Sequence, residues 1–349
     1  MTRSFLRSRW LYAVLALLII GVYVWGRPTN APEPLEAIRE LPERSREWMP
    51  QTIDAQTWRR VVRHEPATTL ALVILGLFSL VMTCGGIALA IRAVMQGTWR
   101  SWWTASSTAL PPWSFGELFR IMMLAVAMAF LLSAAQLMLV TTGLLPLPDP
   151  HVALTVAMLL LDVFVGLMIL SFAAGKGRSV WATFGLTGPI AGPAMTIGLR
   201  SYMTAFPWLF GLLWLVAQVV EALGIKQPIE PIQELVFREQ RPFVLGLTVV
   251  LACTVGPIVE ELFFRGVLYT AIRQRTSRLI GMLASAAIFA LLHTNVVGFL
   301  PIVALGCVLA YLYERTGSLA ASLAVHVLHN SFLISTAMVF RHMMSASPP

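Results

Sequence analysis

The chain has 349 residues, of which 57% are hydrophobic and only 12% charged. A soluble domain is nearer half apolar and a quarter charged, so this composition excludes one and indicates a protein that crosses a membrane several times. The formal charge is +8, carried almost wholly by arginine, and no polar domain is present to receive nucleic acid; the basic excess reads as loop charge that sets membrane orientation.

At the start, Arg3, Arg7 and Arg9 precede an apolar stretch from Trp10 to Trp25, and no A-x-A-like cleavage site follows. This predicts an uncleaved first span, residues 1–26. Residues 27–66 hold seven arginines, six glutamates, one aspartate and six prolines. They read as a partly helical extramembrane loop, with Glu40 and Arg44 at i,i+4 spacing. A second span is expected over about 68–95, and then a tryptophan-rich stretch (Trp99, Trp102, Trp103, Trp113) at headgroup level. Third and fourth spans follow over about 118–142 and 152–174, the fourth with Asp162 at its middle. Asp162 lacks a partner at helical spacing and reads as a polar anchor to a neighbouring helix, with an ion or proton relay as the alternative. The Gly/Pro-rich run 175–199 predicts a loop, and a fifth span occupies about 202–223. Four more spans close the chain, over about 243–273, 279–295, 299–313 and 319–340.

The reading is therefore an all-α polytopic bundle of about nine transmembrane helices, with 67–239 an N-terminal membrane region and 240–343 a distinct membrane domain. The loops placed inside by this count carry more Lys and Arg than Asp and Glu, except the neutral 314–317. This puts the N-terminus in the cytoplasm and the C-terminus outside the cell membrane. Cys84, Cys253 and Cys307 all lie in apolar runs, giving neither a disulfide framework nor a CxxC metal pattern.

The chemistry concentrates near the C-terminus. Glu260, Glu261 and Arg265 sit within an apolar run, where each uncompensated charge costs about 2.5–3.5 kcal/mol on insertion scales. Glu261 and Arg265 are i and i+4 and pair on one face; Glu260 is turned away and needs another partner. Pro257 removes an N–H and crowds the carbonyl of Cys253, which predicts an opened turn just before the acids. His293 ends the seventh span, and the ninth carries His326 and Asn330 on one face, with His329 an ambiguous addition. Singly, each residue is explained by a helix–helix hydrogen bond or a structural ion pair. Together they support two mechanisms. A metal such as zinc, held by Glu260, His293 and His326, could supply a bound water. Alternatively, without metal, Glu260 and His293 could deprotonate a water while His326 and Asn330 hold the oxyanion. HExxH is absent, and no serine has a His/Asp arrangement.

Glu260-Glu261-x-x-x-Arg265, Phe289-x-x-x-His293 and His326-x-x-x-Asn330 resemble, in order and internal spacing, the three motifs of the CPBP family. That family comprises the type II CAAX prenyl endopeptidases and bacteriocin-processing proteases. The resemblance covers about residues 240–343. It implies an intramembrane endopeptidase acting on membrane-associated proteins or peptides in the bilayer, with Glu260 and His293 activating water and His326 and Asn330 at the oxyanion. Glu261 and Arg265 would support them. The family is often labelled metallopeptidase, yet the mechanism proposed for its eukaryotic branch is metal-free, and the metal-free form is the one favoured here. A non-catalytic membrane scaffold or immunity protein is the contrasting reading, motivated by the long N-terminal region and Asp162.

Overall fold

The computed structural model describes residues 10–15, 17, 53–98, 110–143, 149–224, 231–293 and 296–345. All regular structure among them is helical. In chain order the helices are α1 (Ala55–His64), α2 (Pro66–Met95), α3 (Phe115–Thr141), α4 (Pro150–Ala174), α5 (Val180–Thr183), α6 (Gly188–Ala222), α7 (Pro231–Arg238), α8 (Pro242–Arg273), α9 (Arg278–Leu291), α10 (Val296–Thr316) and α11 (Leu319–Ser345). Seven stretches among the described residues are long and apolar enough to cross a bilayer: α2, α3, α4, the α5–α6 segment, α8, α10 and α11. The first expected span lies mostly outside the described residues, as do the Glu40–Arg44 pair and Trp99, Trp102 and Trp103.

Local sequence explains where the helices begin. Ser114 and Glu117 form a reciprocal capping box at the start of α3: the Ser114 N–H donates to Glu117 Oε2 (2.8 Å) and the Glu117 N–H to Ser114 Oγ (3.1 Å). Asp149 accepts from the His151 and Val152 N–H groups at the start of α4, and Ser277 from Ile280 at the start of α9.

Two expectations are corrected. The run 175–199, read as a loop, is helical from Gly188 onward. Pro189 sits in the first turn, where its missing N–H costs nothing, and Pro193 and Pro207 are accommodated inside the helix, as neighbouring helices permit in membranes. The small residues serve packing. A Cβ at Gly198 would strike the Ala321 carbonyl of α11, and one at Gly86 of α2 would strike the Met203 carbonyl of α6. Trp113, read as a headgroup-level side chain, is instead a core residue 1% exposed, stacked on Phe184 and covered by Lys176 Nζ 4.0 Å from its ring.

α6 is the hub of the second half, packing on α2, α10 and α11, while α8 packs on α4, α9, α10 and α11. One apolar core joins α3, α4, α8, α9 and α10 around Phe264, Tyr269, Phe289 and Tyr313. Another joins α2, α6, α10 and α11 around Tyr202, Phe206, Leu309 and Val325. At one end of the bundle, buried Glu314 of α10 gathers Arg273 (Nε, 2.6 Å), Arg278 (Nε, 3.4 Å) and the Tyr269 hydroxyl (2.7 Å). The ends of α8 and α10 and the start of α9 are thereby tied at one acid. α9, the seventh expected span, has only 14 residues, about 21 Å at 1.5 Å per residue against roughly 30 Å of hydrocarbon. It therefore stops short of a full crossing, and His293 lies just past its end.

Candidate active site

The site is built on an irregularity in α8. Residues Leu251–Val255 form a π-helical turn, in which the Gly256 N–H bonds to the Leu251 carbonyl five residues back. Pro257 has no N–H to give to Ala252 in that register, so the Ala252 carbonyl is left over. Asn330 of α11 fills the gap, its Nδ2 donating to Ala252 O at 3.0 Å. The opened turn expected from Pro257 is thus present, and its loose acceptor is satisfied by a motif residue. A second π-helical stretch, Glu261–Tyr269, follows at once.

The two acids have different surroundings. Glu261 is 0% exposed and Arg265 1%, with Arg265 Nη1 donating to Glu261 Oε1 at 2.8 Å. His326 Nδ1 lies 2.8 Å from the same oxygen. A carboxylate accepts, so this nitrogen carries a proton; Nε2 is turned to Glu260 Oε2, 3.4 Å away, and can donate there only by carrying a second proton, as an imidazolium. His326 therefore bridges the two glutamates. The Glu260 side chain is 33% exposed, and among the described residues its Oε2 has no hydrogen bond. His293 Nδ1 lies 2.9 Å from the Phe289 carbonyl; it must donate there, which leaves Nε2 as an acceptor. Phe289 is a platform for the cluster: Arg265 Cζ lies 4.6 Å from its ring centre, and the His293 and His326 rings meet it edge-to-face at 4.6 and 5.7 Å.

A cavity of about 540 Å³ lies in front of these groups. Glu260, His293, His326 and Asn330 all line it, whereas Glu261 and Arg265 are buried behind it. Two helices, α8 and α11, and the end of a third, α9, thus bring the motif residues to one space. His329 also reaches the cavity, with Nδ1 2.9 Å from the Tyr202 hydroxyl of α6. The remaining wall is largely apolar, and α7 closes part of it with Ile232, Gln233 and Phe237. Asp162 is a lining residue that sequence reasoning set aside as a structural anchor. Its signal was a lone acid in the middle of an apolar span.

Glu260, His293 and His326 are suitable zinc donors by type. A zinc ion, however, gathers its ligands at about 2.0–2.2 Å. Among the described residues, ligand atoms of three such side chains lie within 4.8 Å of one another at Asp149, His151 and Glu239, and the Glu260, His293 and His326 atoms are not gathered in that way. The triad that is gathered lies at the start of α4 and the junction of α7 and α8. Arg241 already occupies it, with Nη2 2.6 Å from both Asp149 Oδ1 and Glu239 Oε2. Hydrogen bonds from Arg241 hold the Glu239 and Asp149 carboxyls below their ordinary range. A cation would have to displace this guanidinium, so the cluster reads as a tie between α4 and the α7–α8 junction.

Residues 242–332 match the family described as type II CAAX prenyl endopeptidase Rce1-like. The carboxy-terminal helices are similar to the CPBP family, and the matched residues include all six motif positions. The chain is similar to YdiL of Bacillus subtilis (strain 168), by its name a candidate membrane peptidase: 31% identical over 88 residues, which are 25% of this chain and 36% of YdiL. The chain thus matches about a third of that relative's length. No solved structure matches it. Asp162, on α4, lies outside the matched residues.

Proposed function

We propose that the protein is an intramembrane endopeptidase that hydrolyses peptide bonds of membrane-associated proteins or peptides, with residues 240–343 as its catalytic unit. The observation that carries this reading is the convergence of Glu260, His293, His326 and Asn330, from separate helical elements, on one largely apolar cavity. In the proposed reaction Glu260 takes a proton from water, and the acceptor Nε2 of His293 helps hold that water. The water oxygen bonds to the scissile carbonyl carbon. The second N–H of the Asn330 amide faces the resulting oxyanion, together with His326 Nε2 in the imidazolium form, the one in which that nitrogen has a proton to donate. Glu260 then returns its proton to the amide nitrogen as the C–N bond breaks. Glu261 and Arg265 act from behind, holding His326 by its Nδ1–H so that Nε2 faces Glu260 and the cavity.

The mechanism is proposed without metal, because the zinc donor set is dispersed among the described residues. Loop charge further supports a cytoplasmic N-terminus. Membrane proteomics of a strain producing the wild-type protein, compared with Glu260→Gln and His293→Ala strains, tests the reading. The expected result is an uncleaved membrane protein accumulating in both variants, with cleavage reduced by about 10²–10⁴-fold. Full cleavage by either variant, inserted and folded, refutes it and returns the protein to a scaffold role. Purified enzyme that loses activity in a strong chelator and regains it with zinc would refute the metal-free mechanism.

A further inference from the structure

Gly256 lines the cavity beside Glu260, with a bare face where any other residue would carry a Cβ. A Cβ placed there would lie 3.7 Å from Glu260 Oε1 and 3.9 Å from Asp162 Oδ2. The two carboxyl groups therefore flank one niche, one reaching it from α8 and the other from α4. Asp162 lines the same cavity and, among the described residues, makes no hydrogen bond or ion pair, unlike an anchor between helices. The glycine keeps the niche open, directly after the π turn at Leu251–Val255.

We propose that Asp162 is a positioning residue that holds the attacking water over Gly256, opposite Glu260; the proposal rests on the endopeptidase reading above. An ordered water makes about three hydrogen bonds. Glu260 and His293 Nε2 accept the water's two O–H bonds, and Asp162, as the neutral acid that a second carboxyl beside it favours, donates to the water oxygen, which leaves its other lone pair open for attack on the substrate carbonyl. Fixing that direction is what positioning contributes to rate. During the step the O–H bond facing Glu260 breaks, its proton passes to Glu260, and the oxygen bonds to the carbonyl carbon. Asp162 neither gains nor loses a covalent bond.

The test uses the full chain in lipid nanodiscs and in cells, with three variants. Asp162→Asn keeps a polar hydrogen-bonding group, Asp162→Leu removes it at similar size, and Gly256→Ala fills the niche. The cellular readout is the set of cleavage products that disappear in Glu260→Gln. Expected are at least tenfold slower appearance of these products with Asp162→Leu and Gly256→Ala, rates within about threefold of wild type with Asp162→Asn, and melting temperatures near wild type for both Asp162 variants. Wild-type rates in Asp162→Leu, or an Asp162→Asn variant as slow as Asp162→Leu, would overturn the proposal. If no product depends on Glu260, the endopeptidase reading itself fails. The water site is then judged directly, in a structure of the full chain that resolves ordered water. A water bonded to both Asp162 and Glu260 supports the site, and its absence there overturns it.

Discussion

Removing the guanidinium of Arg265 by Arg265→Met is expected to destabilise the protein far more than its distance from the cavity suggests. Glu261 is fully buried, and its Oε1 receives both Arg265 Nη1 and His326 Nδ1 at 2.8 Å. Arg265 also lies over the Phe289 ring at 4.6 Å. Breaking a buried pair by deleting one partner costs about 3–5 kcal/mol, because the remaining charge stays uncompensated. Loss of the desolvated cation–π contact adds about 1–2 kcal/mol. Replacing both residues, Glu261→Gln with Arg265→Met, removes the stranded charge. The double variant should therefore be more stable than the sum of the singles predicts, by about 1–3 kcal/mol. Reversible unfolding in mixed micelles, titrated with a denaturing detergent, measures all four corners of the cycle. A single Arg265→Met variant within about 1 kcal/mol of wild type, or a strictly additive double variant, would refute the account of Arg265 as the brace of the site.

Other consequences are open to measurement. The Glu239 carboxyl is held below its ordinary 4.5 by Arg241 and His151. Its stabilising contribution is then full above about pH 4.5 and is lost as pH falls from there toward the depressed value; melting temperatures between pH 7 and pH 3 should fall less steeply in Glu239→Gln than in wild type. Arg341 of α11 donates to the carbonyls of Val236 (2.8 Å) and Glu239 at the end of α7. Arg341→Ala should raise amide hydrogen exchange in 231–240 at least tenfold, by about 1.4 kcal/mol of lost local stability, with α10 unchanged. Tyr269→Phe strips one donor from buried Glu314 and should cost about 1–3 kcal/mol in the same unfolding assay.

The polar residues of the catalytic-looking region were legible because a charge in an apolar run is costly, so its partners must be sought on other spans. That logic led from Glu260 to His293, His326 and Asn330, and all four line one cavity. Pro257 likewise announced an opened turn through its missing N–H. Sequence could not say that the turn would be π-helical, nor that Asn330 would serve its loose carbonyl, because both depend on how α11 meets α8. Asp162 was judged by helical spacing alone, which cannot register a partner 98 positions away on another helix. The Gly/Pro run before Tyr202 was misread for a related reason. Turn propensities learned in water lose their force where lipid forbids unsatisfied backbone and small residues let helices touch.

The π turn at Leu251–Val255 lets α8 carry a spare residue without re-aiming either end. Such a turn holds one residue more than an α-helical turn of the same span, so the windings before and after it keep the alignment of an uninterrupted helix. Deleting a single residue from it would restore ordinary winding and leave the Pro242–Val250 face toward α4 and the Glu261–Arg265 pair in its buried seat. What the spare residue supplies is local: the widened turn frees the Ala252 carbonyl that Asn330 takes. A one-residue deletion within 251–255 should therefore be tolerated by folding and insertion yet unseat Asn330. In this helix the extra residue serves as a socket for a side chain of α11 rather than as a change of aim.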